Sequence, residues 1–219
     1  MNKKNAATSS RDILTLSETG TSSNSYLIRS DNGYCLIDPS HPFTAVSPDI
    51  DVTSIIATHG HYDHIKELND WRNKGARSFS IHKDEQPFLH DVARNASALF
   101  GDPKTFEDAD IWLSEGMEIS LDPQRKLSVI HTPGHTAGSV CLLMLEEEQP
   151  VALFTGDTLF KDSIGRTDFP SGNMSEMRAS LQRLSRLFEK LPQDLPVFCG
   201  HGPQTTVGRE KSYNYMMRL

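Results

Sequence analysis

Residues 58–64 read THGHYDH, which places three of the chain's nine histidines and one aspartate within seven positions. Imidazole nitrogens and a carboxylate are the donor set for zinc, iron or manganese. The stretch directly follows the apolar run SIIA at 54–57. In an extended segment alternate side chains share a face, so His59 and His61 project together. Asp63 and His64 fall where the next helix is expected to begin and can turn back toward the same point. The arrangement recurs three times. LSVI is followed by HTPGHT (131–136), VALF by TGD (155–157), and PVFC by GHG (200–202). Strand ends that all carry ligand-type residues converge on one sheet edge, where open sheets place their sites. His82 and His90 have no partners in sequence and read as ordinary surface or core residues. His41, after Asp38-Pro39-Ser40, is a candidate for a place near the site. His131, four residues before His135, reads as structural or as a partner that fixes a ligand tautomer.

The elements that must position these groups are legible from periodicity. Strands are expected at ILTL (13–16), SYLI (25–28), YCLI (34–37), SIIA (54–57), LSVI (127–130), VCLLML (140–145), VALF (151–154) and PVFC (196–199). Asp31-Asn32-Gly33 is a hairpin signal between the second and third. A helix is expected over 64–74, with Ile65, Leu68 and Trp71 on one face and Gly75 as its stop. A second is expected over 84–100, where Phe88, Leu89, Val92, Ala96 and Leu99 recur at helical spacing. A third runs from about 174 to 191, with Met177, Leu181, Leu184, Phe188 and Leu191 as its stripe. Asn173 and Glu176 fit a capping box there, and Pro192 follows the last turn. A short final helix starts near Thr206. Strands mixed with helices make the class α/β or α+β.

Composition narrows the classes. The chain has 219 residues and a net charge of −7. Residues 1–12 are polar and read as a flexible tail, leaving 13–219 as a single domain. The tail lacks the apolar stretch of a signal peptide, so a cytoplasmic location is expected. No apolar run is long enough to span a bilayer, and the acidic balance argues against a nucleic-acid partner. Cys35, Cys141 and Cys199 read as buried free thiols. No Ser-His-Asp or Cys-His signature stands out.

The stretches THGHYDH, HTPGHTAGS, GDTLFKDSIGRTDFPSG (156–172) and GHGPQTTVGREK resemble the metallo-β-lactamase superfamily, and the match runs from SNSYLI to the last helix. The resemblance implies a four-layer αββα sandwich with metals at one edge. It implies two divalent metal ions per chain, zinc first, with iron or manganese as alternatives. His59, His61 and His135 would bind one ion. Asp63, His64 and His201 would bind the other, and Asp157 would bridge them. β-Lactamases of the main zinc type carry cysteine where Asp157 stands, and flavodiiron proteins carry glutamate where His61 stands.

The 156–172 loop is similar to that of glyoxalase II and its shorter bacterial relatives, which hydrolyse glutathione thioesters. This implies thioester hydrolysis by a metal-bridging hydroxide, with Asp63 orienting the nucleophile. Ser163, Gly165, Arg166 and Thr167 would line the substrate side, with Arg166 in place of a glutathione-contacting lysine. The long enzymes add a helical C-terminal domain; no counterpart of it is expected here, and residues 82–113 are expected to cover the site instead. The alternative is a persulfide dioxygenase, which would hold one iron on His59, His135 and Asp157. Its loop differs at Pro170-Ser171-Gly172.

Overall fold

The computed structural model describes residues 13–17 and 22–218. The expected tail, residues 1–12, lies outside the described residues. One sheet takes its strands in chain order. They are β1 (Ile13–Leu16), β2 (Ser25–Ser30), β3 (Gly33–Ile37), β4 (Val52–Ile56), β5 (Ser78–His82) and β6 (Ile111–Leu113). The other contains β7 (Glu118–Ser120), β8 (Arg125–His131), β9 (Val140–Glu146), β10 (Gln149–Gly156), β13 (Pro196–Cys199) and β14 (Thr205–Thr206), in the order β14-β13-β10-β9-β8-β7. Between β10 and β13 the chain forms a small hairpin of β11 (Leu159–Phe160) and β12 (Ser163–Ile164).

The period-2 rule decides what each face packs on. Tyr26 and Ile28 of β2, Ile56 of β4, and Ala152 and Phe154 of β10 meet in a core between the sheets. Leu27 and Ile55 point the other way, onto α1 (Tyr62–Ile65) and α2 (Leu68–Lys74) through Ile65, Leu68 and Trp71. Leu153 points onto α4 (Met174–Phe188) and α5 (Val207–Tyr213) through Met177, Leu181, Leu184 and Val207. Helix, sheet, sheet, helix is the expected four-layer αββα sandwich.

All eight expected strands form. Asn173 caps α4, its side chain accepting from the Ser175 and Glu176 amides, and the helix ends at Phe188. Thr206 caps α5 in the same way, accepting from the Arg209 amide. All three cysteines are buried and unpaired.

Two helices differ from expectation. The 64–74 segment breaks into α1 and α2 because the Glu67 amide donates to the Pro39 carbonyl rather than up the helix, while the Asp63 carbonyl accepts from Ser23. Its apolar face survives, since Ile65, Leu68 and Trp71 are all buried. The 84–100 segment contains only a 3-10 turn at Lys83–Glu85 and α3 (Gln86–His90). Short polar side chains then capture the backbone. Asp91 accepts from the Ala93 and Arg94 amides, and Asn95 Nδ2 donates to the carbonyls of Phe88 and Lys104. Such local bonds compete with helix formation. Leu99, expected on an apolar face, is 74% exposed. Strands β5 and β6 flank this region and carry no expectation from periodicity. His82 ends β5 as a buried residue, the core side of its expected surface-or-core reading.

Candidate metal centre

The four motif segments leave the ends of β4, β8, β10 and β13 at the same edge of the sandwich. Backbone bonds lock them together. The Val140 amide donates to the Thr58 carbonyl across the two sheets, and the Gly200 amide donates to the Gly156 carbonyl. A Cβ on Gly200 would collide with Asp157 Oδ1, so glycine there gives the aspartate its room.

Donor atoms of His59, His61 and His135 lie within 4.8 Å of one another. The same holds for Asp63, His64 and His201, and for His59, His64 and Asp157. All seven expected ligand residues therefore come together, with Asp157 placed between the two groups. Its carboxylate lies 3.1 Å from His64 Nε2, 3.5 Å from His135 Nε2 and 3.6 Å from His201 Nε2. Asp63 Oδ2 lies 3.0 Å from His201 Nε2.

Each ring is turned by a partner behind it. The Arg166 carbonyl accepts from His135 Nδ1 at 2.7 Å, which leaves a bare lone pair on Nε2. Thr58 Oγ1 donates to Asp38 and can accept from His59 Nδ1 at 3.2 Å, which leaves His59 Nε2 bare as well. These two lone pairs face each other at 3.2 Å, and His61 Nδ1 lies 2.9 Å from His135 Nε2. His61 is held edge-on between the rings of Phe88 and Phe169.

The second group has the same logic. His64 Nδ1 donates to Asp38 Oδ2 at 2.9 Å. Its Nε2 and Asp157 Oδ1 approach to 3.1 Å but are not aligned for a hydrogen bond, and both atoms are buried without one. Buried polar atoms that converge without an aligned hydrogen bond between them fit ligands for a shared cation, so the donor set fits divalent metal ions.

Protonation fits for the first group. Burial first, then neighbouring His64 and His135, holds His59 well below the usual histidine range. Burial and His135 push His61 down to about 3. Both rings are therefore neutral, as ligands must be. Burial would raise the carboxyls of Asp63 and Asp157, but the neighbouring His64 and His201 hold both low. Burial lowers His64, yet Asp157, Asp38 and Asp63 together outweigh it and raise its pKa.

Asp38 was not legible as a site residue. It is buried at the end of β3, with a backbone φ of 54°. Its carboxylate accepts from the Thr58 amide, the Thr58 hydroxyl and His64 Nδ1. The signal was an aspartate at a strand end, the pattern that marks Asp157. His41 contacts Ser25 Oγ, which donates to the Asp38 carbonyl, so it stands behind the site rather than in it. His131 pairs its Nε2 with the Ala137 carbonyl and stacks on His82 at 4.2 Å and 10°. With Asp84 these two also bring donors within 4.8 Å, but stacked rings send their lone pairs side by side rather than to one point.

Above the centre opens a cavity of about 440 Å³. His61, Asp63, His135, Asp157 and His201 form its floor, and Phe160, Ile164 and Phe169 form walls. Ala96 and Phe100 add a further wall, so the 82–113 segment covers the site as expected. Ser163 and Arg166 line the cavity, whereas Gly165 is buried behind it and Thr167 is not part of the lining. Arg166 is exposed, pairs with Asp168 through Nε and Nη2 at 2.7 Å each, and lies 3.9 Å over the Phe169 ring.

The sequence profile of the metallo-beta-lactamase superfamily matches residues 19–201, and the chain belongs to that superfamily. Its members bind divalent metal ions, and the histidine–aspartate clusters here are of that kind. Among curated relatives, the chain is 32% identical over 169 residues to hydroxyacylglutathione hydrolase GloC of Haemophilus influenzae, covering 76% of each chain. Among solved structures it is similar to BLEG-1 B3 metallo-beta-lactamase, with a TM-score of 0.82 and 31% identity over 94% of this chain and all of that one. It is also similar to TTHA1623 in a di-iron-bound form, with a TM-score of 0.72 and 30% identity over 93% of this chain and 98% of that one. No helix among the described residues is long and apolar enough to cross a membrane.

Proposed function

We propose that this protein is a glyoxalase II-like thioesterase that hydrolyses S-acylglutathione substrates of the S-lactoylglutathione type. The observation that carries the reading is the convergence of seven ligand-type side chains beneath one cavity, with His61 Nε2, His64 Nε2 and Asp157 Oδ1 buried there without a hydrogen-bond partner. The similarity to GloC supports the thioester. His59, His61 and His135 would hold one ion, Asp63, His64 and His201 the other, and Asp157 would lie between them. Zinc is the first assignment, and iron or manganese suits the same donors. Divalent ions held there supply Lewis acidity, which lowers the pKa of water toward about 7 and stabilises charge developing on a carbonyl oxygen.

The chain's own groups do the rest. Asp63, at the cavity floor, accepts a hydrogen bond from the attacking water and aims it. The aromatic walls exclude bulk water and seat the thioester. The leaving thiolate has a pKa of only about 8.5, so the departing group needs no protein acid. Arg166 stands at the mouth. Its pair with Asp168 uses Nε and Nη2, and a guanidinium carries five N–H donors, so Nη1 remains able to bind a substrate carboxylate. Arg166→Ala should raise KM roughly 3- to 10-fold for an anionic thioester, with kcat and metal content unchanged. An unchanged KM would leave Arg166 as a loop-stabilising ion pair only.

The test is hydrolysis of S-D-lactoylglutathione by metal-loaded protein, followed through loss of thioester absorbance. A kcat/KM above about 10⁴ M⁻¹s⁻¹ supports the assignment. Three control substrates run beside it. Turnover of a chromogenic cephalosporin alone would replace the reading with a β-lactamase. Oxygen uptake with glutathione persulfide, on one iron per chain, would replace it with a persulfide dioxygenase. A plain acyl thioester of a neutral thiol, turned over in place of the glutathione ester, would keep the chemistry and change the carrier.

A further inference from the structure

Glu85 is fully buried, yet it lies outside the group of candidate ligands. It sits in the 3-10 turn between β5 and α3. Burying a carboxylate costs several kcal/mol unless its oxygens are hydrogen-bonded. Both oxygens are. Oε2 accepts from the Gly60 amide at 2.7 Å, and Oε1 accepts from the Gly138 amide at 2.7 Å. The Thr136 hydroxyl is a third partner.

The identity of those amides is what matters. Gly60 lies between His59 and His61, on the loop leaving the first sheet. Gly138 lies three residues beyond His135, on the loop joining β8 and β9 of the second sheet. One carboxylate therefore ties together the two loops that carry the three histidines of the first group. Across that tie His61 Nδ1 lies 2.9 Å from His135 Nε2 and His135 Nε2 lies 3.2 Å from His59 Nε2. A slip of one loop along the other would open these distances directly.

Both glycines are shaped to the carboxylate. A Cβ at Gly138 would meet Glu85 Cγ at 2.7 Å, Glu85 Oε1 at 2.8 Å and His82 Nδ1 at 3.0 Å. A Cβ at Gly60 would meet Phe88 Cβ at 2.5 Å and Glu85 Oε2 at 3.0 Å. No other residue type fits either position without displacing the 83–90 segment. Burial pushes the Glu85 carboxyl up to about 7 against the pull of its three hydrogen bonds, so the group is held there at a cost.

We infer that Glu85 is a positioning residue for the metal centre, clamping the His59–His61 loop to the His135 loop through the Gly60 and Gly138 amides. This rests on the metal-centre reading above. Partners that orient ligands from behind typically contribute 10- to 100-fold in metal affinity. Glu85 would act this way on three ligands at once, through backbone rather than through an imidazole.

The test is E85Q, which keeps the shape but turns an amide NH₂ toward one backbone N–H. Metal-free wild type and E85Q are titrated with Co(II), reading the visible spectrum and the affinity by chelator competition. Melting of both metal-free proteins is measured in parallel. The expected result is an affinity about 10- to 100-fold weaker in E85Q with an altered Co(II) spectrum. Unchanged affinity and spectrum, with only a lower melting temperature, would overturn the inference and leave Glu85 as a structural prop. Should E85Q not fold, E85D carries the same readouts, since it keeps the charge but is one methylene too short to reach both amides. A wild type that takes up no Co(II) would sink the metal-centre reading itself, a result distinct from equal uptake by both proteins.

Discussion

Asp157→Ala should abolish hydrolysis and lower the metal content from two ions per chain to one or none. Asp157 is the side chain whose oxygens reach toward both ligand groups, at 3.1 Å from His64 Nε2, 3.5 Å from His135 Nε2 and 3.6 Å from His201 Nε2. A Cβ on Gly200 would clash with Asp157 Oδ1, so glycine there admits its carboxylate. In the proposed two-ion centre, loss of one ligand from each ion would remove both the charge balance and the spacing of the pair. We expect kcat/KM to fall by at least about 10³, equal to roughly 4 kcal/mol of transition-state stabilisation. Asp157→Asn separates geometry from charge. It should retain part of the metal and little of the rate. Metal analysis beside steady-state kinetics decides the matter. Wild-type turnover with two ions per chain in Asp157→Ala would remove Asp157 from the centre.

The parts of this protein legible in sequence share a physical reason. THGHYDH, TGD and GHG follow strands buried on both faces at their ends, and HTPGHT follows β8, whose burial alternates; in all four an apolar run leads into the ligand. Local pattern therefore located both the strand and the ligand at its end. What could not be read depends on contacts between segments far apart in the chain. Asp38 meets Thr58 and His64 because β3 and β4 pair in parallel with Ile37 opposite Ile56, a register that no local pattern announces. Glu85 is the same case across 25 and 53 residues.

The 84–100 misreading has the opposite cause. Its apolar spacing was helical by accident, and Asp91 and Asn95 captured the backbone amides and carbonyls that a helix needs. Strand β5 was missed because its serines gave Phe79 and Ile81 too little apolar company, although both are fully buried. The substrate side was the least legible, because Gly165 serves the loop behind the cavity while Ala96 and Phe100 arrive from the misread segment.

Asp38→Ala should cost the metal-free protein more stability than any single ligand substitution. The carboxylate is 1% exposed and accepts three bonds, at 2.7, 2.8 and 2.9 Å. Its removal leaves the Thr58 amide, the Thr58 hydroxyl and His64 Nδ1 buried without an acceptor. Breaking a buried pair of this kind costs about 3–5 kcal/mol, a large share of the 5–15 kcal/mol by which domains are stable. Alanine adds a backbone penalty, because φ at this position is 54° and the left-handed region costs residues other than glycine, asparagine and aspartate about 1–2 kcal/mol. Asp38→Asn avoids that penalty and keeps the volume, so it isolates the electrostatic role. In Asp38→Asn the fold should persist. Affinity for one ion, the one held by Asp63, His64 and His201, should fall by about 10- to 100-fold, because His64 loses the charged acceptor that fixes its Nδ1–H tautomer. The first group meets Asp38 only at one remove, through the Thr58 hydroxyl to His59 Nδ1, and the asparagine oxygen at position 38 can still accept from that hydroxyl, so the other ion should stay bound. Chemical denaturation of the metal-free variants and a two-site metal titration measure the two effects separately. Equal weakening of both ions in Asp38→Asn would mean that Asp38 holds the strand ends together rather than turning His64, and two sites at wild-type affinity would mean that it does neither.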